Sequence, residues 1–289
     1  MSWPQPQGGD LLTASRLREL AGRLGLRPTK ARGQNFVVDP NTVRRITRLA
    51  DLHPDDVVVE VGPGLGSLTL ALLDAAARVT AVELDPVLAG ALPATVAAYR
   101  PDAVARLTVV TADALALSRL PDPQPTVLVA NLPYNVSVPV LLSFLQRYPT
   151  IGRGLVMVQL EVAERLAAGP GSRVYGVPSL KLAWWADAAL VGSVPRTVFW
   201  PVPNVDSGLV ALSRRAPPPS RATRREVFAC IDAAFGQRRK TLRAALAGWA
   251  GGPAAAEAAL RTAGVDPAAR GEQLDIAAFA AVAGARPIG

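Results

Sequence analysis

The 289-residue chain has few of the side chains that bind metals or carry protons near neutral pH. It contains one cysteine, Cys230, and one histidine, His53. A lone cysteine excludes an intrachain disulfide framework, and the pair is too small for a Cys/His zinc site, so no metal is expected. His53 lies in the turn-like "DLHPDD" and reads as a surface residue; Cys230, in "VFACIDAAF", reads as core. Lysine is nearly missing: only Lys30, Lys181 and Lys240 occur, so almost all the positive charge is arginine. No apolar run approaches the length of a membrane-spanning helix. The first ten residues, "MSWPQPQGGD", carry no apolar signal core. The expectation is a cytoplasmic protein with no membrane partner, and nothing in the chain calls for more than a monomer.

Half the residues are hydrophobic, enough for one large domain and a small one. The net charge of +8 is unevenly spread. Residues 214–289 hold 12 of the 31 basic residues and 6 of the 23 acidic ones, a net +6, against +2 for everything before them. Arginine forks pair with phosphates and stack on bases, so this asymmetry points to a polyanionic partner for the last quarter of the chain.

Residues 1–26 read as a disordered tip followed by a helix over 11–26, and 27–39 as a loop. A helix follows over 40–52. The pattern then alternates. Apolar strands are expected at 57–62, 78–85, 106–113, 125–134 and 154–161, with helices at 67–76, 86–98 and 138–147. Strands apolar along their whole length mean a parallel sheet covered on both faces. Two more strands, 188–194 and 207–214, finish the domain as a hairpin-like antiparallel edge. "RRAPPPSRATRR" (214–225) reads as a linker. Helical patterns at 225–249, 254–263 and 275–284 make a small basic all-α domain. The domains expected are therefore 1–26 as an N-terminal extension and helix, 27–214 as a Rossmann-like domain and 215–289 as a small helical domain.

"EVGPGLGSLT" follows the first strand of the alternation and opens a helix. Its glycines let backbone approach a ligand, and the helix N-terminus offers free N–H groups. Glu83 ends the next strand, 21 residues after Gly62, where an acid accepts from ribose hydroxyls. A dinucleotide loop would read G-x-G-x-x-G. Here the spacing is E-x-G-x-G-x-G, with Glu60 ahead of the first glycine. An acid there is a poor neighbour for pyrophosphate and a good one for an α-amino group, as in S-adenosylmethionine. Asp113, closing the third strand, can accept from an adenine amine.

The fourth strand ends in "NLPY": Asn131, Leu132, Pro133 and Tyr134. An exocyclic adenine amine is a poor nucleophile because its lone pair is delocalised into the ring. Two acceptors, the Asn131 side-chain oxygen and a backbone carbonyl beside Pro133, can take its two N–H bonds and draw the nitrogen toward tetrahedral geometry. Tyr134 can stack on the base, and proline presets the loop. No strong base is needed, which suits a chain whose one histidine lies elsewhere.

These stretches resemble the small-subunit ribosomal RNA adenine N6,N6-dimethyltransferase family. The matching segments are "RGQNFVVD", "VVVEVGPGLGSLT", "VTAVELD", "TADAL", "NLPYNVSVPVL", "QLEVAERLAAGPGSRVYG", "FWPVPNVDSGLVAL" and "AFGQRRKTLRAAL", in order from about residue 30 to 246. The resemblance implies a seven-stranded Rossmann-like S-adenosylmethionine-dependent methyltransferase domain with a small all-α C-terminal domain. It implies dimethylation of two adjacent adenosines near the 3′ end of 16S rRNA in the small ribosomal subunit, with S-adenosylhomocysteine released and a part in ribosome biogenesis. Carried over by position, it puts Gln34, Asn35, Val37, Gly62, Gly64, Glu83, Leu84, Asp113, Ala114 and Asn131 against the cofactor. Asn131 to Tyr134 form the target pocket, and Arg238, Arg239, Lys240 and Arg243, at helical spacing, face RNA. The chain departs from the family pattern at Val37, commonly a leucine. It departs again in "SRVYGVP", where Val177 and Pro178 replace a basic residue and its neighbour and Arg173 supplies a charge the family often takes from lysine. A large-subunit rRNA adenine dimethyltransferase conferring macrolide resistance shares the glycine loop and an Asn-x-Pro-aromatic motif. A non-catalytic RNA-binding assembly factor is the alternative of another class.

Overall fold

The computed structural model describes residues 10–26 and 35–286. Helix α1 (Ala14–Arg23) is followed by a two-residue strand β1 (Phe36–Val37) and helix α2 (Pro40–Leu49). Then come β2 (Val57–Val61), α3 (Ser67–Ala75), β3 (Arg78–Glu83), α4 (Pro86–Tyr99), β4 (Leu107–Thr111), β5 (Val127–Asn131), α5 (Ser137–Arg147) and β6 (Arg153–Gln159). Two short helices, α6 (Leu160–Leu166) and α7 (Val177–Ala183), precede β7 (Ala186–Val194), β8 (Phe199–Trp200) and β9 (Ser207–Arg214). Helices α8 (Arg224–Gly236), α9 (Leu242–Ala245), α10 (Ala247–Ala250), α11 (Pro253–Thr262) and α12 (Ile276–Gly284) complete the chain.

The main sheet has seven strands in the order β4-β3-β2-β5-β6-β9-β7. β2 runs parallel to β3 and β5, β3 to β4, and β5 to β6; β9 is antiparallel to β6. This is a mixed α/β sheet with flanking helices, the Rossmann-like architecture the apolar strands call for. Val58, Val59, Val79, Val127, Leu128 and Val129 are all fully buried, as strands covered on both faces must be. Local chemistry sets the helix starts. Asp39 caps α2, accepting from Thr42 N at 2.8 Å and Thr42 Oγ1 at 2.6 Å, with Pro40 at the first turn. Asp85 and Pro86 start α4 the same way, Val87 N donating to Asp85 Oδ1 at 2.9 Å.

The chain divides into two compact units, Met1–Ala163 with Ala189–Ser213, and Glu164–Ala188 with Arg214–Gly289. The sequence expectation placed 164–188 with the sheet. In the structure Tyr175, Leu180 and Trp184 share a buried cluster with Val227, Cys230, Ile231, Leu242, Leu260 and Phe279 of the C-terminal helices.

Several local expectations change. The helix expected over 225–249 is three pieces, because Gly236 ends α8 and Leu242 N is taken by Ala269 O at 2.7 Å, so 237–241 is a turn. The four basic residues at 238–243 therefore do not lie on one continuous helix. The sixth strand stops at Gln159, and Leu160 and Glu161 begin α6. Strands 188–194 and 207–214 are neighbours at one edge of the sheet, as expected, with β9 against β6 and β7 outermost. The tip 1–9 and residues 27–34, Gln34 among them, lie outside the described residues. His53 is exposed, and Cys230 is fully buried, its thiol pushed up to about 12 by desolvation. Among the described residues no helix is long and apolar enough to cross a membrane.

Candidate functional site

The strand order reverses between β2 and β5, the chain stepping outward through β3 and β4 on one side and through β6 on the other. Loops leaving the carboxyl ends of strands at such a point diverge and open a crevice. Four groups singled out in the sequence meet there. They are the glycine loop after β2, Glu83 at the end of β3, Asp113 after β4 and Asn131 at the end of β5.

The glycine loop is built for close approach. Gly62 and Gly64 take φ of +72° and +58°, which side chains rarely adopt. A Cβ on Gly62 would lie 3.7 Å from the Asn131 carbonyl oxygen and 3.8 Å from Pro133 Cδ, so the two loops are neighbours. A Cβ on Gly64 would sit 2.7 Å from the Phe36 ring. Phe36 comes from β1, which pairs antiparallel with β8, and its ring tilts against Trp200 at 6.2 Å. Val37, the other residue of β1, belongs to the buried core cluster and is only 5% exposed.

Glu83 is buried, and both carboxyl oxygens already accept main-chain bonds, from Gly64 N at 3.1 Å and Asp85 N at 3.0 Å. Each oxygen keeps a further lone pair. Burial raises its pKa and those N–H groups oppose the shift. Leu84 beside it is 67% exposed, an open apolar surface at the mouth of the crevice. Asp113 is exposed, its Oδ1 accepting from Leu115 N at 2.8 Å, with half-buried Ala114 next to it. Glu60 lies in β2 below the loop and is 1% exposed. Thr69 Oγ1 donates to it at 2.6 Å. Desolvation, helped by the charge of Glu83, pushes its carboxyl up to about 8.

The loop at residues 131–134 has one side-chain acceptor and one main-chain acceptor. Asn131 Nδ2 donates to the Asn35 carbonyl at 3.0 Å, which leaves its Oδ1 for another partner. Leu132 is buried and its N–H donates to Met157 O at 3.0 Å; its carbonyl accepts no bond among the described residues. The Pro133 carbonyl is occupied by Val136 N at 3.2 Å. Tyr134 is half-buried, its hydroxyl 2.8 Å from Ser207 Oγ in β9, and burial raises its pKa. Asn35 Oδ1 is buried with no partner among the described residues. Phe36 and Ser207 were not singled out from the sequence: one is an unmarked aromatic before Val37, the other an unmarked serine in "NVDSG".

In the helical unit, Arg238 is held by Glu272 at 2.9 Å and by the Arg173 carbonyl at 2.9 Å, and Arg243 pairs with Glu257 at 2.8 Å. Arg239 and Lys240 are exposed and have no partner among the described residues. Val177 and Pro178 open α7. Among the described residues no group of three or more His, Cys, Asp or Glu is placed to hold a metal ion.

The family model described as ribosomal RNA adenine dimethylase matches residues 27–284. Among curated proteins, the ribosomal RNA small subunit methyltransferase A of Thermobifida fusca is 68% identical over 96% of both chains. The protein of the same name from Streptomyces coelicolor is 66% identical over 98% of this chain and 99% of its own. Among solved structures, the 23S rRNA methyltransferase ErmE superposes with a TM-score of 0.63 at 30% identity, over 87% of this chain and 99% of its own. A dimethyladenosine transferase from Plasmodium falciparum superposes at 0.68 with 23% identity, over 84% and 94%.

Proposed function

The chain belongs to the ribosomal RNA adenine dimethylase family, and from that premise we propose that it transfers methyl groups from S-adenosylmethionine to the N6 amines of two adjacent adenosines near the 3′ end of 16S rRNA. It acts on the small ribosomal subunit, in the cytoplasm, as a monomer, and contributes to ribosome biogenesis. The observation that carries the reading is the pair of open acceptors, Asn131 Oδ1 and the Leu132 carbonyl, beside a glycine loop at the switch point of the sheet.

The residues present fit the cofactor. Gly64 has no room for a side chain, Glu83 has lone pairs to spare, Leu84 offers an apolar face and Asn35 Oδ1 is buried and unsatisfied. Gly62 and Gly64 would border its methionine part, Glu83 would accept from the ribose hydroxyls, and Leu84, Asp113 and Ala114 would hold the adenine. Gln34, Asn35 and Val37 complete that wall in the same reading. Glu60, expected from the sequence as the partner of the α-amino group, is instead buried beneath the loop and bonded to Thr69. When bound, S-adenosylmethionine supplies an electrophilic methyl on a sulfonium and leaves as S-adenosylhomocysteine; the reading needs no metal.

The protein's own part is to make a weak nucleophile competent. Asn131 Oδ1 and the Leu132 carbonyl accept the two N6–H bonds of an unstacked adenine, draw the nitrogen toward tetrahedral geometry and localise its lone pair on the side facing the methyl. Tyr134, braced by Ser207, stacks on the base. Because Pro133 and the Asn35 bond fix both acceptors beforehand, no reorganisation is needed as the methyl arrives. The N–H becomes acidic as the bond forms, so solvent can take the proton. After the first transfer one N–H remains, and one of the two acceptors holds it to orient the nitrogen for the second.

The large-subunit resistance enzymes are the second reading. Identity of 30% to ErmE, against 68% and 66% to the small-subunit proteins, favours the small subunit. The intact acceptor pair argues against a purely structural assembly factor. Exhaustive methylation of small subunits that lack the modification tests the reading. Two methyls on each of two adjacent adenosines are expected, and methyls on a single adenosine or on any other base would contradict it.

A further inference from the structure

The entry to α8 carries three arginines within five residues, Arg221, Arg224 and Arg225. None has an acidic partner among the described residues. The one acid in the first turn, Glu226, is committed elsewhere: its Oε2 accepts from both the Thr223 N–H and the Thr223 hydroxyl at 2.7 Å, closing the capping box. Those bonds hold its carboxyl below its ordinary range, and the charge of Arg286 adds to the effect, which places a fourth arginine nearby.

The segment that presents these arginines is fastened down. Ser220 Oγ donates to Ala280 O of α12 at 2.8 Å and accepts from Ala222 N at 3.0 Å. A Cβ on Gly284 would lie 3.3 Å from Ser220 Oγ and 3.4 Å from Arg221 N, so the segment lies against the end of α12. Arg224 is fixed by rings, its guanidinium 5.7 Å from the Trp185 centroid and 5.3 Å from that of Phe228. Lys181 covers the same Phe228 ring at 5.4 Å while pairing with Asp232. Arg221 and Arg225 remain exposed on either side.

We propose that Arg221, Arg224 and Arg225 form a second contact surface for the phosphate backbone of the ribosomal RNA, at the opposite end of α8 from the 238–243 turn. The inference rests on the rRNA reading above. Uncompensated guanidinium forks are suited to phosphates, and the fastened segment with the ring-held Arg224 is in place beforehand, which lowers the entropy lost on binding. Lys181 and Arg224 already occupy the rings, so no open aromatic face is offered to a base. The contact is therefore to backbone and independent of sequence.

The test is equilibrium binding of the full chain to 16S rRNA and to small subunits across a salt series, with wild type, Arg221→Ser/Arg225→Ser and Arg221→Lys/Arg225→Lys. Each lost phosphate contact lowers the slope of log K against log salt by about 1, so the serine pair is expected to flatten it by about 2. The lysine pair is expected to restore most of that slope. Melting temperature and S-adenosylmethionine affinity are expected to stay at wild-type values in both. An unchanged slope in the serine variant overturns the proposal. So does weakened binding to subunits with unchanged binding to naked rRNA, since the arginines would then contact ribosomal protein. A wild type that neither binds nor methylates the small subunit overturns the proposed function, and this inference with it.

Discussion

Asn131 donates its side-chain amide to the main-chain carbonyl of Asn35, 3.0 Å away. The reverse orientation would set two oxygens against each other, so the bond decides which atom Asn131 has left. That atom is the acceptor Oδ1. A residue at the edge of the sheet thereby becomes a fixed acceptor for an N–H group, and the Leu132 carbonyl is the second.

Removing that acceptor separates chemistry from cofactor binding. Asn131→Ala is expected to lower kcat for methyl transfer by about 10²–10³-fold or more, the cost of losing one preset polar group at a reacting centre. Affinity for S-adenosylmethionine, measured by calorimetry, is expected to stay within a few-fold. Normal turnover in this variant would remove Asn131 from the pocket.

Glu83 holds Gly64 N and Asp85 N, two contacts that the sequence did not show. Glu83→Ala is expected to weaken S-adenosylmethionine by about 1.5–3 kcal/mol, the range for a hydrogen bond to a charged group. Glu83→Gln keeps one acceptor and is expected to fall between alanine and wild type. Equal cofactor affinity in all three proteins would exclude the ribose role.

Gly64→Ala tests the loop itself. The added methyl meets the Phe36 ring at 2.7 Å in a backbone with φ +58°. Overpacking and left-handed strain together are expected to destabilise the fold by about 2–4 kcal/mol, read as a lowered Tm, and to reduce cofactor affinity. A variant with wild-type Tm and affinity would show that the loop has space to spare.

The buried carboxyl of Glu60 makes stability depend on pH. Its ordinary value is 4.5, and in the folded chain it rises to about 8. Between those values the native state binds a proton that the unfolded chain has released, so this group's contribution falls as pH rises through the window. Glu60→Gln removes the titration while keeping a partner for Thr69. Its stability relative to wild type is expected to improve steadily from about pH 5 to pH 8. The gain should reach the order of a few kcal/mol in denaturant melts and then level off. A difference between the two proteins that does not change with pH would show that Glu60 is ionised in the native state.

The parallel strands were legible because burial on both faces leaves a nearly continuous apolar run, as in residues 57–59 and 127–130. The glycine loop, Glu83 and Asn131 were legible because each is a polar or flexible break at the end of such a run. What sequence could not show depends on distant partners. Asn35 reaches Asn131 across 96 residues, and Ser207 reaches Tyr134 across 73. The choice of the Leu132 carbonyl over that of Pro133 follows from the turn that Val136 N closes. The helix expected through Arg238–Arg243 fails at a glycine, where a bond from Leu242 N to Ala269 O outweighs local propensity. Helices α6 and α7 are seven residues each, too short for a period to stand out. The insertion of β9 between β6 and β7 is a matter of pairing that no local pattern encodes.

The central claim is tested most directly by methyl transfer from labelled S-adenosylmethionine to two substrates side by side, with the product nucleosides resolved. One is purified small subunits lacking the modification; the other is naked large-subunit rRNA. N6,N6-dimethyladenosine in the small subunit alone is the expected result. Product in the large-subunit RNA alone would make this a resistance-type enzyme, and label in neither, with cofactor bound, would contradict the assignment of a catalytic role on rRNA.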